Sequence, residues 1–339
     1  MNYNTQITTL LINKFREHFI KAGLREEYSK SIISHHDKSI RFTNSTTSVL
    51  KKYLSGSKIP GDGVFLFQPA MGLQGVDFWE ENKQMEYFTS YFISMGTMGC
   101  VENLEKYAEE GVLFLADTLN IELDRIVIRA DSEDEDIVNA VTRTNVTVEL
   151  DACKKSDYRH VFGMENVRGR NANFAINNNG VLRDVGNLII IERENKPIAI
   201  ELSFDTTLLL FPMHHMYHPI LALPSSKILY NDIVFNFTGV EYLVLSDFMT
   251  LSIVLILEGL KVKARGRGRN LRKIITLLSE IISELNISEE KIENAAYQIA
   301  EEELEIRKVL KSESKMADYI TPEEVSKYLN FQLRSLKER

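Results

Sequence analysis

The sequence predicts an α+β fold: a mostly antiparallel sheet flanked by helices, followed by a helical region. Three observations carry that reading. Short runs rich in β-branched and aromatic residues recur over the first two thirds of the chain: VFLFQPAM (64–71), DRIVIRA (124–130), TVELDA (147–152), NLIIIERE (187–194) and PIAIELSF (197–204). The last two flank Glu194-Asn195-Lys196-Pro197, a break that reads as a hairpin turn and makes the sheet mostly antiparallel. From about residue 240 the pattern turns helical almost throughout, over 241–258, 270–285, 288–312 and 322–337. Strands first and helices afterwards predict two domains, 1–235 and 236–339.

The remaining elements follow in chain order. Over 5–22 a helical period places Ile7, Leu10, Leu11, Phe15, Phe19 and Ile20 on one face, and Gly23 is the expected stop. A second helical period over 101–120 is interrupted by Gly111. In the acidic run Asp131 to Asp136, Ser132 is expected to cap a helix whose acidic first turn suits the macrodipole. VRGRNANFAINNNG (167–180), with Arg168 and Arg170, reads as a loop, either facing RNA or a ligand or plain surface. Thr321 and Glu324 form a capping-box pattern at the start of the last helix.

Composition bounds the class. A chain of 339 residues with 44% hydrophobic and 26% charged content is ordinary for a globular protein, and no tandem repeat is present. Cys100 and Cys153 form no CxxC pair, which argues against a disulfide scaffold or a cysteine zinc site and fits a cytoplasmic setting. The apolar run Phe248 to Leu260 is too short to span a bilayer, so a buried helix is expected and no membrane partner.

Against a net charge of −8, Lys261, Lys263, Arg265, Arg267, Arg269, Arg272 and Lys273 form a basic block with no acid among them. Such a block presents a positive field to a polyanion, nucleic acid first, with solvated surface as the plainer alternative. Gly266 and Gly268 suit a loop that approaches a phosphate closely, feeding a helix whose free N–H groups favour anions. His214, His215 and His218 could ligate a metal from one helical face. Pro212 and Pro219 bracket them and no HExxH glutamate is present, so a structural or pocket-lining role is preferred and no metal is expected. The single Trp79 is either an interface residue or a partly buried anchor.

With these residues in view, the chain resembles the amino-terminal part of alanyl-tRNA synthetase, a class II aminoacyl-tRNA synthetase, collinearly over roughly residues 10 to 280. Phe15, Phe19 and Gly23 match its first helix, His35 and Asp37 a His-x-Asp turn, and Phe42, Thr43 and Asn44 the strand end that follows. Met95-Gly96 matches the second class II motif strand, residues 123–136 a strand and acidic turn, and Phe204-Asp205-Thr206 the start of the third motif. Asp247, Gly259, Arg267, Gly268, Leu271 and Arg272 match the entry to the tRNA-recognition domain. The resemblance therefore implies a class II synthetase-like sheet followed by a truncated tRNA-recognition module, with Gly96, Phe174, Asp205 and Asp247 near a ligand pocket. Asp205 is placed there to meet an α-amino group or to cap backbone.

The departures concern ATP. The second-motif arginine falls at Pro69 beside Gln68, and its basic loop becomes Met71 to Gly75. The third-motif glycines become Thr207 and Leu209, and its arginine becomes Pro212. The motif glutamate aligns with Ile93 and the pocket tryptophan with Ala175. Adenylate formation needs fixed positive charge on the phosphates, and proline supplies none. The leading expectation is a divergent paralogue with degenerate ATP motifs that binds tRNA or aminoacyl-tRNA, in regulation or in tRNA-dependent aminoacyl transfer. One alternative is a divergent ligase activating an amino or other small carboxylic acid, which would need ATP and Mg²⁺. The other is a protein-interacting pseudo-synthetase. A homodimer is among the assemblies the resemblance allows.

Overall fold

The computed structural model describes residues 1–33, 40–178, 180–232 and 239–337. His35, Asp37 and the expected boundary at 235/236 lie outside them. The strands are β1 (Arg25–Glu26), β2 (Val64–Met71), β3 (Tyr91–Met98), β4 (Ile126–Ala130), β5 (Thr147–Leu150), β6 (Arg159–Val161), β7 (Val167–Asn178), β8 (Val181–Arg193) and β9 (Lys196–Asp205). They form one sheet in the order β1-β2-β3-β9-β8-β7-β4-β5, with β6 on β7. Pairing is antiparallel except at the two margins, β1/β2 and β4/β5. Helices flank this sheet and occupy most of the chain beyond it, the α+β arrangement the sequence predicts.

The helices are α1 (Tyr3–Lys21), α2 (Thr46–Leu54), α3 (Gln74–Asn82), α4 (Leu104–Leu113), α5 (Glu135–Val141), α6 (Thr206–Met213), α7 (Pro224–Asp232), α8 (Val240–Leu257), α9 (Arg267–Glu284), α10 (Glu289–Lys308) and α11 (Pro322–Lys337). Asn2 caps α1, its side chain accepting from the Thr5 N–H at 3.0 Å, and Gly23 ends it in the left-handed region at φ 94°. The buried stripe of α1 runs through Ile7, Leu11, Ile12, Phe15 and Phe19. Leu10 and Ile20, expected on it, lie off the stripe and are exposed.

Period-two alternation gives the sheet two unlike faces. One face turns Phe67, Met95, Leu202, Phe204 and Phe174 into a core shared with α1 and α4. Gly111 does not break α4: a Cβ there would come within 2.7 Å of the Phe174 ring, so its bareness lets the helix lie against the strand. The other face is covered by α2 over part of its width, where Leu50 and Leu54 pack on Leu66, Met98, Ile189 and Ile191.

The segment 167–178, read as a loop, is the strand β7, paired with β8 along its length. Asparagine and glycine have poor strand propensity, but Asn171 and Asn173 are buried and bonded to each other, and Ala172 and Phe174 fill the opposite face. Ser132 does not cap α5; its N–H donates to Asp151 at 2.9 Å. The acids are held instead by two arginines. Arg159 meets Asp131 at 2.6 Å and Asp134 at 2.7 Å, and Arg170 meets Asp136 and Glu192 at 2.8 Å each. Residues 40–44 form no strand; they lead into α2, whose cap is Ser45.

The 18-residue α8 matches the helix expected over 241–258 and takes in the apolar run up to Leu257. It has the length and composition to cross a membrane, but 89% of it is buried within the structure. It packs with α9, α10 and α11 in a core that also takes in Ile32, Phe42, Met71, Val76, Trp79 and Tyr91. Trp79 is therefore a buried anchor. A buried ionic knot joins the same parts: Arg307 on α10 reaches Glu303 at 2.7 Å and Glu258 at 2.9 Å. Glu303 accepts from the Tyr91 hydroxyl on β3, and Glu258 from the Ile33 N–H at 3.3 Å. The Thr321/Glu324 capping box is formed, with reciprocal bonds of 3.2 and 3.3 Å.

Candidate functional site

Where α2 stops short of covering the sheet, a cavity of about 540 Å³ opens. The register explains its floor. Glu201, Ser203 and Asp205 alternate onto this face of β9, Ser94 pairs with Asp205, and Asn187 pairs with Ser203. The wall is the start of α2, with Ser45, Thr47 and Ser48, and Phe92, His160 and Phe162 add aromatic surface. The site is polar but poor in positive charge. Lys51 is the only lysine or arginine among its described lining residues.

Its two floor carboxylates are shifted in the same direction. Glu201 is buried and accepts from the hydroxyls of Thr46 at 3.1 Å and of Thr47. Burial pushes its carboxyl up to about 7, against the hydroxyls that favour the anion. Asp205 caps α6: its Oδ1 accepts from the N–H groups of Thr207 at 2.7 Å and Leu208 at 3.2 Å, and burial pushes it up to about 6. Both groups resist carrying charge until a cation or a proton compensates them. Asp184, a further lining acid, is paired with Arg129.

Of the four residues expected at a ligand pocket, only Asp205 lines this cavity. Gly96 shares the face but lies under α2, where a Cβ would fall 2.0 Å from the Thr46 hydroxyl oxygen. Phe174 points to the opposite face, fully buried, its ring 5.8 Å from that of Phe204. Asp247 is buried in α8, where Oδ1 accepts from the Ser90 N–H at 2.9 Å and burial pushes the carboxyl up to about 6. Glu201 was not among the sequence candidates, although an acid in the middle of the apolar run PIAIELSF was a signal for it.

The three histidines diverge. His214 meets the Tyr3 hydroxyl at 3.1 Å, and His215 takes a left-handed turn at φ 50°. His218 stacks on Tyr87 and accepts from the Ile220 N–H at 3.2 Å, with its pKa lowered to about 4 by burial. No group of three candidate metal-ligating side chains occurs among the described residues.

The basic block forms a loop feeding a helix, as expected. Gly266 takes φ 63° immediately before α9. Gly268 has a different purpose from phosphate approach: a Cβ there would lie 2.5 Å from the Lys261 carbonyl oxygen, so the loop packs directly on the helix start. Lys273 is held between Asp77, at 2.7 Å, and Glu80, and Arg267 donates to the backbone carbonyl of Arg41. Lys261 sits over the Tyr328 ring at 5.0 Å. Lys263, Arg265, Arg269 and Arg272 are exposed and form no ion pair with a described residue.

No protein-family model matches the sequence, and neither does a curated protein. Among solved structures, the chain is similar to asparaginyl-tRNA synthetase from Pyrococcus horikoshii complexed with asparaginyl-adenylate, at 10% identity and a TM-score of 0.43. That match covers 65% of this chain and 67% of the other. A second structure of that enzyme gives 11% identity, 65% and 66% coverage and a TM-score of 0.40. Apo histidyl-tRNA synthetase from S. aureus gives 13% identity, 61% and 66% coverage and a TM-score of 0.38. The chain thus spans about two thirds of the length of each, and neither enzyme is an alanyl one.

Proposed function

We propose that this chain is an alanyl-synthetase-like paralogue that binds tRNA or aminoacyl-tRNA through residues 261–273, in a regulatory role or within a tRNA-dependent aminoacyl-transfer pathway. The observation that carries the proposal is the exposed cation cluster Lys261, Lys263, Arg265, Arg269 and Arg272 at the start of α9 in a chain of net charge −8. Such clusters bind phosphates by releasing counterions. The sheet cavity supports a binding role over adenylate synthesis. A triphosphate needs fixed cations, and among the described lining residues Lys51 is the one lysine or arginine beside two floor carboxylates, which favours the binding reading.

The test is tRNA binding across a salt series, with Arg265, Arg269 and Arg272 replaced together by alanine. The log–log salt slope should fall by about 2 to 3, and the affinity with it. An unchanged slope refutes the proposal. Sequencing the RNA that co-purifies identifies the tRNA. A second reading, a divergent ligase for an amino acid or other small carboxylic acid, draws on Asp205 at the cavity floor. Pyrophosphate exchange with any such acid would establish it. Absence of RNA affinity together with a stable protein complex would instead favour a protein-interacting pseudo-synthetase.

A further inference from the structure

A second, smaller cavity of about 170 Å³ separates the basic loop from the last helix. Its apolar walls are Val262 and Ala264 from the loop, Ile275 from α9 and Leu336 from α11. Two exposed cations, Lys263 and Arg272, stand at it, and no acid is among its described lining residues. Gln332 and Ser335 supply the polar groups. Its volume is close to the roughly 150 Å³ cavity that holds a benzene ring in a protein interior.

We propose that this notch holds one unpaired nucleotide of the bound RNA; the inference rests on the RNA-binding reading and adds the kind of RNA. Three features favour this occupant. The apolar walls and the planar Arg272 guanidinium suit the face of a base, which stacks on aliphatic surface and on arginine planes. Lys263 and Arg272 then neutralise the phosphates on either side of it. The hydroxyl of Ser335 donates to the Phe331 carbonyl at 2.9 Å and so presents lone pairs, while the Gln332 amide offers both a donor and an acceptor to a base edge. A base within a duplex is already stacked and paired, so a notch of this size admits only one that has left the stack.

The notch is also held in shape. The Val262 N–H donates to the Tyr328 hydroxyl of α11 at 2.9 Å, and the Lys263 N–H donates to the Gly268 carbonyl at 3.2 Å. These bonds fix the loop on both neighbouring helices, so the walls are preformed.

The experiment compares a single-stranded oligoribonucleotide carrying one 2-aminopurine with a blunt duplex of equal charge, both bound to the full chain. The single strand should bind on the order of tenfold more tightly, with a change in 2-aminopurine fluorescence. Ala264→Leu and Ser335→Leu, which fill the notch from opposite walls, should each remove that preference and leave the salt slope intact. Circular dichroism confirms that each variant is folded. Equal binding of the two RNAs, or a preference that survives both fillings, overturns the inference while salt-dependent RNA binding stands. Loss of all RNA binding in the unmodified chain removes the RNA-binding reading and this inference together. Binding of polyglutamate as tight as that of the single strand overturns it in favour of an acidic protein partner.

Discussion

Arg307 lies between Glu303, at 2.7 Å, and Glu258, at 2.9 Å, and all three side chains are almost wholly shielded from solvent. One cation thus serves two carboxylates at the junction of α8, α10 and the sheet. Through Tyr91 and Ile33 it ties the helices to β3 and to the segment after α1.

Arg307→Met should cost about 3–5 kcal/mol, because it leaves two buried carboxylates without their counter-charge. Urea unfolding measures this. Replacing Glu258, Glu303 and Arg307 together with apolar residues should recover much of the loss, since the desolvation cost of the ions disappears with them. A single-variant loss below about 1 kcal/mol would contradict the role of the knot.

Glu201 predicts a pH dependence of stability. Its carboxyl is raised in the folded chain from 4.5 to about 7, so the fold favours the protonated form. That contribution is fully present below the unfolded value near 4.5 and is lost as pH rises through about 7. Between these limits the native protein should lose on the order of 3 kcal/mol relative to Glu201→Gln, which has no proton to lose. Denaturation midpoints of the two proteins measured in parallel over this window provide the check. Parallel pH profiles would show that folding does not raise the Glu201 carboxyl.

Gly268→Ala separates loop geometry from charge. The added Cβ would lie 2.5 Å from the Lys261 carbonyl oxygen and 2.8 Å from the Lys263 nitrogen, both backbone atoms, so the loop must move off α9. RNA affinity should fall several-fold with no change in net charge. Gly266→Ala meets open space but has φ 63°, so it should act through strain of about 1–2 kcal/mol. Filter binding and thermal melting distinguish the two.

Much of this fold was legible where local pattern and tertiary role agree. The strands around the Glu194-Asn195 turn, both residues left-handed at φ 51° and 62°, and the helices from 240 onward follow their periodicities. The strand β7 was hidden because its asparagines are stabilised by burial and by each other, which propensity cannot register. At the basic block, the cations were visible but the acids that hold Lys273, Asp77 and Glu80, come from α3, nearly two hundred positions earlier. The scatter of Gly96, Phe174 and Asp247 has the same origin: strand parity and helix coverage decide which side chains face the cavity, and both are set by distant partners.

The strand order has a consequence for how the chain is made. β3 waits for β9, its neighbour on one side, through about a hundred residues of synthesis, the distance from Gly96 to Ser203. The meander of β7, β8 and β9 needs only short turns and can assemble as soon as it emerges. Until then β2 and β3 present an unpaired margin beside apolar side chains, the part of the nascent chain most in need of a chaperone. The strand that closes this gap, β9, also carries Glu201 and Asp205, so the cavity floor is complete only when the two halves of the sheet have met.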